Sequence, residues 1–118
     1  EKGCIGTDEM QVTLDENEML PVTADTFSIN TIILAGRQGR RVSMLDKELN
    51  PYLSLMFDAP VVGIWSPAPA APFVCIEPWF GRADRVDFDG DFSEREYINI
   101  LAPGQTFEAS YMIIIENV

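Results

Sequence analysis

The spacing of apolar residues is the tightest constraint on this chain. Hydrophobic side chains recur at a period near two over most of it, and the interruptions are Pro, Gly, Asn and Asp. That period puts successive side chains on opposite faces of an extended backbone, so the chain is expected to be all-β, with antiparallel strands joined by turns. Met10, Val12 and Leu14 alternate with Gln11, Thr13 and Asp15, which predicts a half-buried strand ending in the acidic turn at residues 15–18. Leu20-Pro21-Val22 starts a further extended piece, and the capping residues in 23–27 predict a helical turn at most. Residues 31–35 and 41–45 flank a turn with two glycines, Gly36 and Gly39, and read as a hairpin. A second pair, 52–57 with 61–65, surrounds Asp58-Ala59-Pro60. Residues 66–72 form a proline-rich loop too short to link domains, 73–76 an apolar strand, and 81–92 a polar, aspartate-rich connection. A final pair, 97–101 with 107–115, brackets the Pro-Gly turn Ala102-Pro103-Gly104-Gln105. No long amphipathic helix is visible.

The 118 residues suit a single domain spanning 1–118, with no repeat or composition shift to divide it, and 47% apolar content argues against disorder. Eight basic residues against nineteen acidic ones leave a net charge of −11, which repels nucleic acid and anionic membrane surfaces. Apolar runs such as 112–115 fall far short of the ~20 residues of a membrane-spanning helix. Cys4 and Cys75 have no CxxC partner, which argues against structural zinc and favours two reduced thiols in a cytoplasmic protein. The absence of histidine is the most restrictive count, since it removes the usual acid–base group near neutral pH and the commonest metal ligand.

Chemistry is most concentrated in Phe73-Val74-Cys75-Ile76-Glu77-Pro78-Trp79, followed by Gly81-Arg82-Ala83-Asp84. A carboxylate at the end of an apolar strand, beside aromatic rings, is an arrangement that suits a sugar. The apolar sugar faces stack on rings and the hydroxyl groups need charged partners. An exposed strand-end glutamate next to core aromatics would have the same local pattern. This passage resembles the carboxy-terminal signature of the aldose 1-epimerase, or galactose mutarotase, family, in its LacX-like branch. Three further segments resemble the family in order: residues 20–27, Gly63-Ile64-Trp65-Ser66, and Ile100-Leu101-Ala102-Pro103-Gly104-Gln105.

The resemblance implies a β-supersandwich that interconverts sugar anomers, with a strand-borne glutamate as base and histidines as acid and binding groups. Glu77 matches that glutamate. Having no histidine, the chain is expected to be the carboxy-terminal half of such a protein, a partial antiparallel β-sandwich that is inactive or nearly so when isolated. The ligand is then a monosaccharide, with Trp65, Trp79, Arg82 and Asp84 as candidate binding residues; no cofactor and no metal are implied.

Two further clusters read as ordinary surface. Asp87-Phe88-Asp89-Gly90-Asp91 lacks the spacing of a calcium loop, because Gly90 comes too early and Ile98 occupies the position of the bidentate glutamate. Arg37, Arg40 and Arg41 surround a glycine turn but lack the strand-to-helix context of a phosphate loop. Two other functional classes remain open on the residues alone: a noncatalytic sugar-binding or regulatory protein, and a structural β module whose unpaired edges recruit another copy into a homo-oligomer.

Overall fold

A computed structural model describes residues 3–28, 30–67 and 71–116. Its elements are β1 (Ile32–Ala35), β2 (Arg41–Leu45), β3 (Pro51–Phe57), β4 (Val61–Trp65), β5 (Cys75–Trp79), a single 3-10 turn (Phe92–Glu94) and β6 (Tyr111–Ile115). The strands form two antiparallel three-stranded sheets, ordered β1-β4-β5 and β2-β3-β6. The expected all-β, partial-sandwich architecture is therefore what the chain adopts.

The period of two decides which side chains meet. In β3, Leu55 and Phe57 enter the core while Ser54 and Met56 face away, and in β4 Val62 and Ile64 enter it from the other sheet. Leu34, Val42, Ile76 and Phe80 pack around this centre. The fully buried apolar set is small, and the radius of gyration, 16.3 Å, exceeds the ~13–14 Å expected of a compact domain this long. Much of the apolar surface is thus left uncovered, as in a sandwich with part of its layers missing.

Three pairings expected from the sequence are corrected. Strands β1 and β2 do not form a hairpin: they lie in different sheets, and residues 36–40 arch between them. Gly36 and Arg37, at φ 82° and 58°, turn the chain out of its own sheet. Strands β3 and β4 likewise belong to different sheets, joined by an arch at residues 58–60. The two arches are stitched together: the Arg37 N–H donates to the Pro60 carbonyl at 3.0 Å, and the Arg37 guanidinium to the Asp58 carbonyl at 2.8 Å and its carboxylate at 2.7 Å. The third pair fails because residues 97–101 form no strand. The Pro-Gly turn does form, closed by Gln105 N–H to Ala102 C=O at 3.0 Å, and the strand after it begins only at Tyr111.

The true hairpin is β2–β3, closed by the five residues 46–50. Asp46 organises this turn, its carboxylate accepting from the N–H of Glu48 at 3.0 Å and of Asn50 at 2.8 Å. The expected strand at 10–14 does not form, and two of its three apolar residues, Met10 at 72% and Leu14 at 48%, are exposed. At 73–76, Phe73 and Val74 precede the strand, which runs on instead through Pro78. Proline is tolerated there because β5 is an edge strand. Residues 24–28 form consecutive turns, as expected. The middle of the proline-rich loop, 68–70, lies outside the described residues. No helix among the described residues is long and apolar enough to cross a membrane.

Candidate functional site

The β4–β5 register builds the site. Glu77 lies directly across from Gly63, Trp79 across from Val61, and Cys75 across from Trp65. Because Val62, Ile64 and Ile76 point into the core, the alternate residues Gly63, Trp65, Glu77 and Trp79 share the opposite, outward face of the sheet.

On that face the two indoles hold the carboxylate. Trp65 Nε1–H donates to Glu77 Oε1 at 2.7 Å, and Trp79 Nε1–H donates to Oε2 at 3.1 Å, with all three side chains half-buried. Gly63 makes this geometry available. A Cβ there would stand 2.6 Å from Trp79 Cζ2 and 3.0 Å from Cε2 and Cη2, so the indole lies on the bare backbone of Gly63. The sequence reading missed the role of Gly63, although a glycine inside an apolar strand is the signal of such a close approach.

Chemically, the arrangement is an oriented anion on an aromatic surface. An ionised carboxylate offers about four acceptor positions, so two indole donors leave roughly two for ligand hydroxyl groups. No ion pair to Glu77 is recorded among the described residues. The indole N–H groups fix its orientation.

Arg82 and Asp84 are engaged in the loop that follows β5. The Arg82 side chain is 10% exposed, ion-paired with Glu96, and stacked with Cζ 5.1 Å from the centre of the Tyr97 ring. Its Nε is buried without a partner. Asp84 accepts from Arg95 Nε, while Arg95 Nη2 donates to the Arg82 carbonyl at 3.0 Å. Trp65, Trp79 and Glu77 thus come together, whereas no recorded hydrogen bond or ion pair joins Arg82 or Asp84 to them.

The remaining charged clusters have local tasks. Arg37 and Arg40 pair with Asp58, and Arg41 with Glu116. Arg85 binds Asp87 at 3.1 Å; that hydrogen bond and the accompanying charge attraction hold the guanidinium above its ordinary value, and the same hydrogen bond holds the Asp87 carboxyl below its own. Asp91 caps the 3-10 turn, accepting from the Ser93 hydroxyl at 2.6 Å and the Ser93 N–H at 2.9 Å, contacts that lower its pKa; Glu94 Oε2 returns the capping box to the Asp91 N–H at 3.1 Å. Two recesses flank this region, one lined by Ala83, Asp84, Arg85, Phe88 and Glu96, the other by Asp58, Phe80, Phe107, Glu108, Ala109 and Ser110, and Glu77 lines neither. Cys4 and Cys75 are both free thiols.

Among curated proteins, the chain is similar to the chromosomal and plasmid-encoded forms of Protein LacX from Lactococcus lactis subsp. lactis, at 25% identity to each over 118 residues, 99% of this chain. The chain spans 40% of the length of these relatives. No family model matches it. No solved structure matches it.

Proposed function

We propose that this chain is the glutamate-bearing, sugar-facing part of an aldose 1-epimerase-like protein, acting in the cytoplasm on a monosaccharide. The observation that carries this reading is the Glu77 carboxylate held between the Trp65 and Trp79 indole N–H groups on an outward sheet face. The similarity to LacX proteins along nearly the whole chain supports it, as do the two free thiols for a reducing compartment. Anomer exchange needs a base to take the proton of the anomeric hydroxyl and an acid to protonate the ring oxygen; the ring opens, the carbonyl carbon rotates, and reclosure gives the other anomer. Glu77 is the base in this scheme. The acid belongs to the rest of a longer protein, because this chain has no histidine. In this scheme Trp65 and Trp79 supply stacking surface, and Arg82 and Asp84, candidates from the sequence, would reach the sugar only by leaving their partners Glu96 and Arg95. No cofactor takes part.

A noncatalytic sugar-binding role is the second reading, favoured by one observation: both Glu77 oxygens already accept a hydrogen bond. Two measurements separate the readings. Titration of this chain with galactose and glucose, followed by Trp fluorescence, reports binding, which both readings require. Polarimetry on a longer chain carrying the upstream residues reports exchange, and Glu77→Gln should slow it by at least ~10²-fold if Glu77 is the base. Undiminished exchange in that variant would reject the base assignment, and no exchange from the unaltered longer chain would leave binding alone.

A further inference from the structure

The two indole bonds to Glu77 are unequal, and the difference gives its two oxygens different tasks. Trp65 Nε1 stands 2.7 Å from Oε1, at the strong end of hydrogen bonds to a charged oxygen, whereas Trp79 Nε1 stands 3.1 Å from Oε2, beyond the usual ~2.7–2.9 Å. The donors also arrive from opposite ends of the strand. Trp65 lies across from Cys75, two residues before Glu77, and Trp79 lies two residues after it. The carboxylate is therefore laid along β5, with Oε1 towards the Cys75 end and Oε2 towards the Trp79 end.

A proton added to a carboxylate turns one oxygen into a hydroxyl, which accepts hydrogen bonds poorly, while the other becomes a carbonyl and stays a good acceptor. Protonation thus weakens the indole bond that ends at the oxygen taking the proton, and the cost is smaller where that bond is longer. We propose that Oε2 is the oxygen that takes the anomeric proton, and that Trp65 is a positioning residue holding Oε1 as the fixed, non-reacting end of the carboxylate. The proposal rests on the assignment of Glu77 as base made above.

In the forward step the anomeric O–H bond breaks, its proton passes to Oε2, and the electron pair left on the sugar oxygen forms the carbonyl. The bond from the anomeric carbon to the ring oxygen breaks at the same time, and the ring oxygen keeps that electron pair and takes a proton from the acid group of the longer protein. After rotation about the bond next to the anomeric carbon the transfers run in reverse, and Oε2 returns its proton. The Trp65 N–H keeps its acceptor throughout, so the carboxyl group does not turn between uptake and return. The reacting hydroxyl then lies at the Trp79 end of the face, which makes Trp79 rather than Trp65 the ring beneath the sugar.

Two experiments test this, and only the second needs turnover. In this chain, proton–nitrogen NMR follows the two indole N–H groups from about pH 7 to about pH 3, where carboxylates gain protons, at every pH for which circular dichroism shows the fold intact. Glu77 and Cys75 are the only titratable residues of β1, β4 and β5, so the titration is run in a Cys75→Ser background. As Glu77 takes its proton the Trp79 resonance should move about twice as far as that of Trp65 or more, and Glu77→Gln should abolish the step in both. Equal movement, a larger one at Trp65, or a step that survives Glu77→Gln overturns the proposal and leaves the base reading standing. On the longer chain, polarimetry of Trp65→Phe should show kcat lowered by about 10–100-fold, the effect of one hydrogen bond to a charged group, with KM within about twofold. Trp79→Leu keeps an apolar cover over Val61 but no ring, and should raise KM by about tenfold. Equal kcat losses in the two variants overturn the proposal with the base reading intact, whereas no exchange from the unaltered longer chain removes the base reading and the proposal with it.

Discussion

Replacing Gly63 with alanine tests how the site is held. The added Cβ would meet the Trp79 ring at 2.6 Å from Cζ2, with two more ring atoms at 3.0 Å. Ordinary carbon–carbon contact needs ~3.5–4.0 Å, so the indole must move by about 1 Å. The Trp79 Nε1 to Glu77 Oε2 hydrogen bond is already 3.1 Å and does not survive a shift of that size directed away from the sheet. A hydrogen bond to a charged acceptor contributes ~1.5–3 kcal/mol, against which alanine recovers ~0.5–1 kcal/mol of backbone entropy in a strand, so the net loss should be about 1–2 kcal/mol. With a urea dependence of ~1–3 kcal/mol/M, the unfolding midpoint should fall by roughly 0.3–2 M. Proton–nitrogen NMR of the two indole N–H groups supplies the local readout. The Trp79 resonance should move towards its solvent-exposed position, while that of Trp65, whose 2.7 Å bond to Oε1 is untouched, should move little. A variant as stable as the parent with both indole resonances in place would refute the idea that bare backbone at residue 63 seats the ring.

Other perturbations have separable outcomes. Glu116→Ala removes one acceptor of the Ser54 hydroxyl, 2.7 Å away on a residue with no exposed surface, and the carboxylate partner of Arg41, while the Ser54 bonds to Ser43 and Arg41 remain; a loss of about 0.5–1.5 kcal/mol is expected in urea unfolding. Asp58→Asn, by contrast, disturbs only ion pairs to Arg37 and Arg40 whose side chains are at least half exposed, and should change stability by less than ~1 kcal/mol in the same assay. The Asp91 and Asp87 carboxyls have lowered pKa values in the folded chain, so their stabilising effect is complete above the unfolded carboxyl value of ~3.9 and is lost as pH falls through the lower folded value. The protection of the Ser93 amide against exchange, relative to its intrinsic rate at each pH, should therefore fall only below about pH 4. With no histidine in the chain, urea midpoints should be flat between about pH 6 and pH 8.

Six strands were legible in the sequence because period two is a local property, although 10–14 and 97–101 alternate without forming strands; strand partnership was not. A glycine-rich connection between two alternating runs is common to a hairpin and an arch, and what separates them here is contact between remote residues, such as the Arg37 N–H reaching Pro60. The β2–β3 hairpin had a local signal in Asp46 and Asn50, whose side chains favour turns, yet it competed with a stronger glycine signal next to it. Residues 10–14 show the converse, since alternation without a neighbouring strand leaves Met10 and Leu14 exposed. At the site, Glu77 and its neighbour Trp79 could be read from five consecutive residues. The Trp65 hydrogen bond and the Gly63 seat depend on the β4–β5 register, and register is set by the whole sheet.

The indole–carboxylate group also accounts for the composition of β4. Val61, Val62, Gly63 and Ile64 are all buried, so this central strand is covered on both faces. The core covers Val62 and Ile64, and the outward face needs its own cover. Val61 is 1% exposed and lies directly across from Trp79, whose ring also lies over Gly63. An apolar cover made of tryptophan brings two N–H donors with it, and half-buried donors need acceptors. Glu77 accepts from both. A glutamine there keeps one acceptor oxygen but turns an NH₂ group towards the second indole N–H, opposing donor to donor. The carboxylate is thus required to keep the tryptophan layer in place, which ties its identity to the fold.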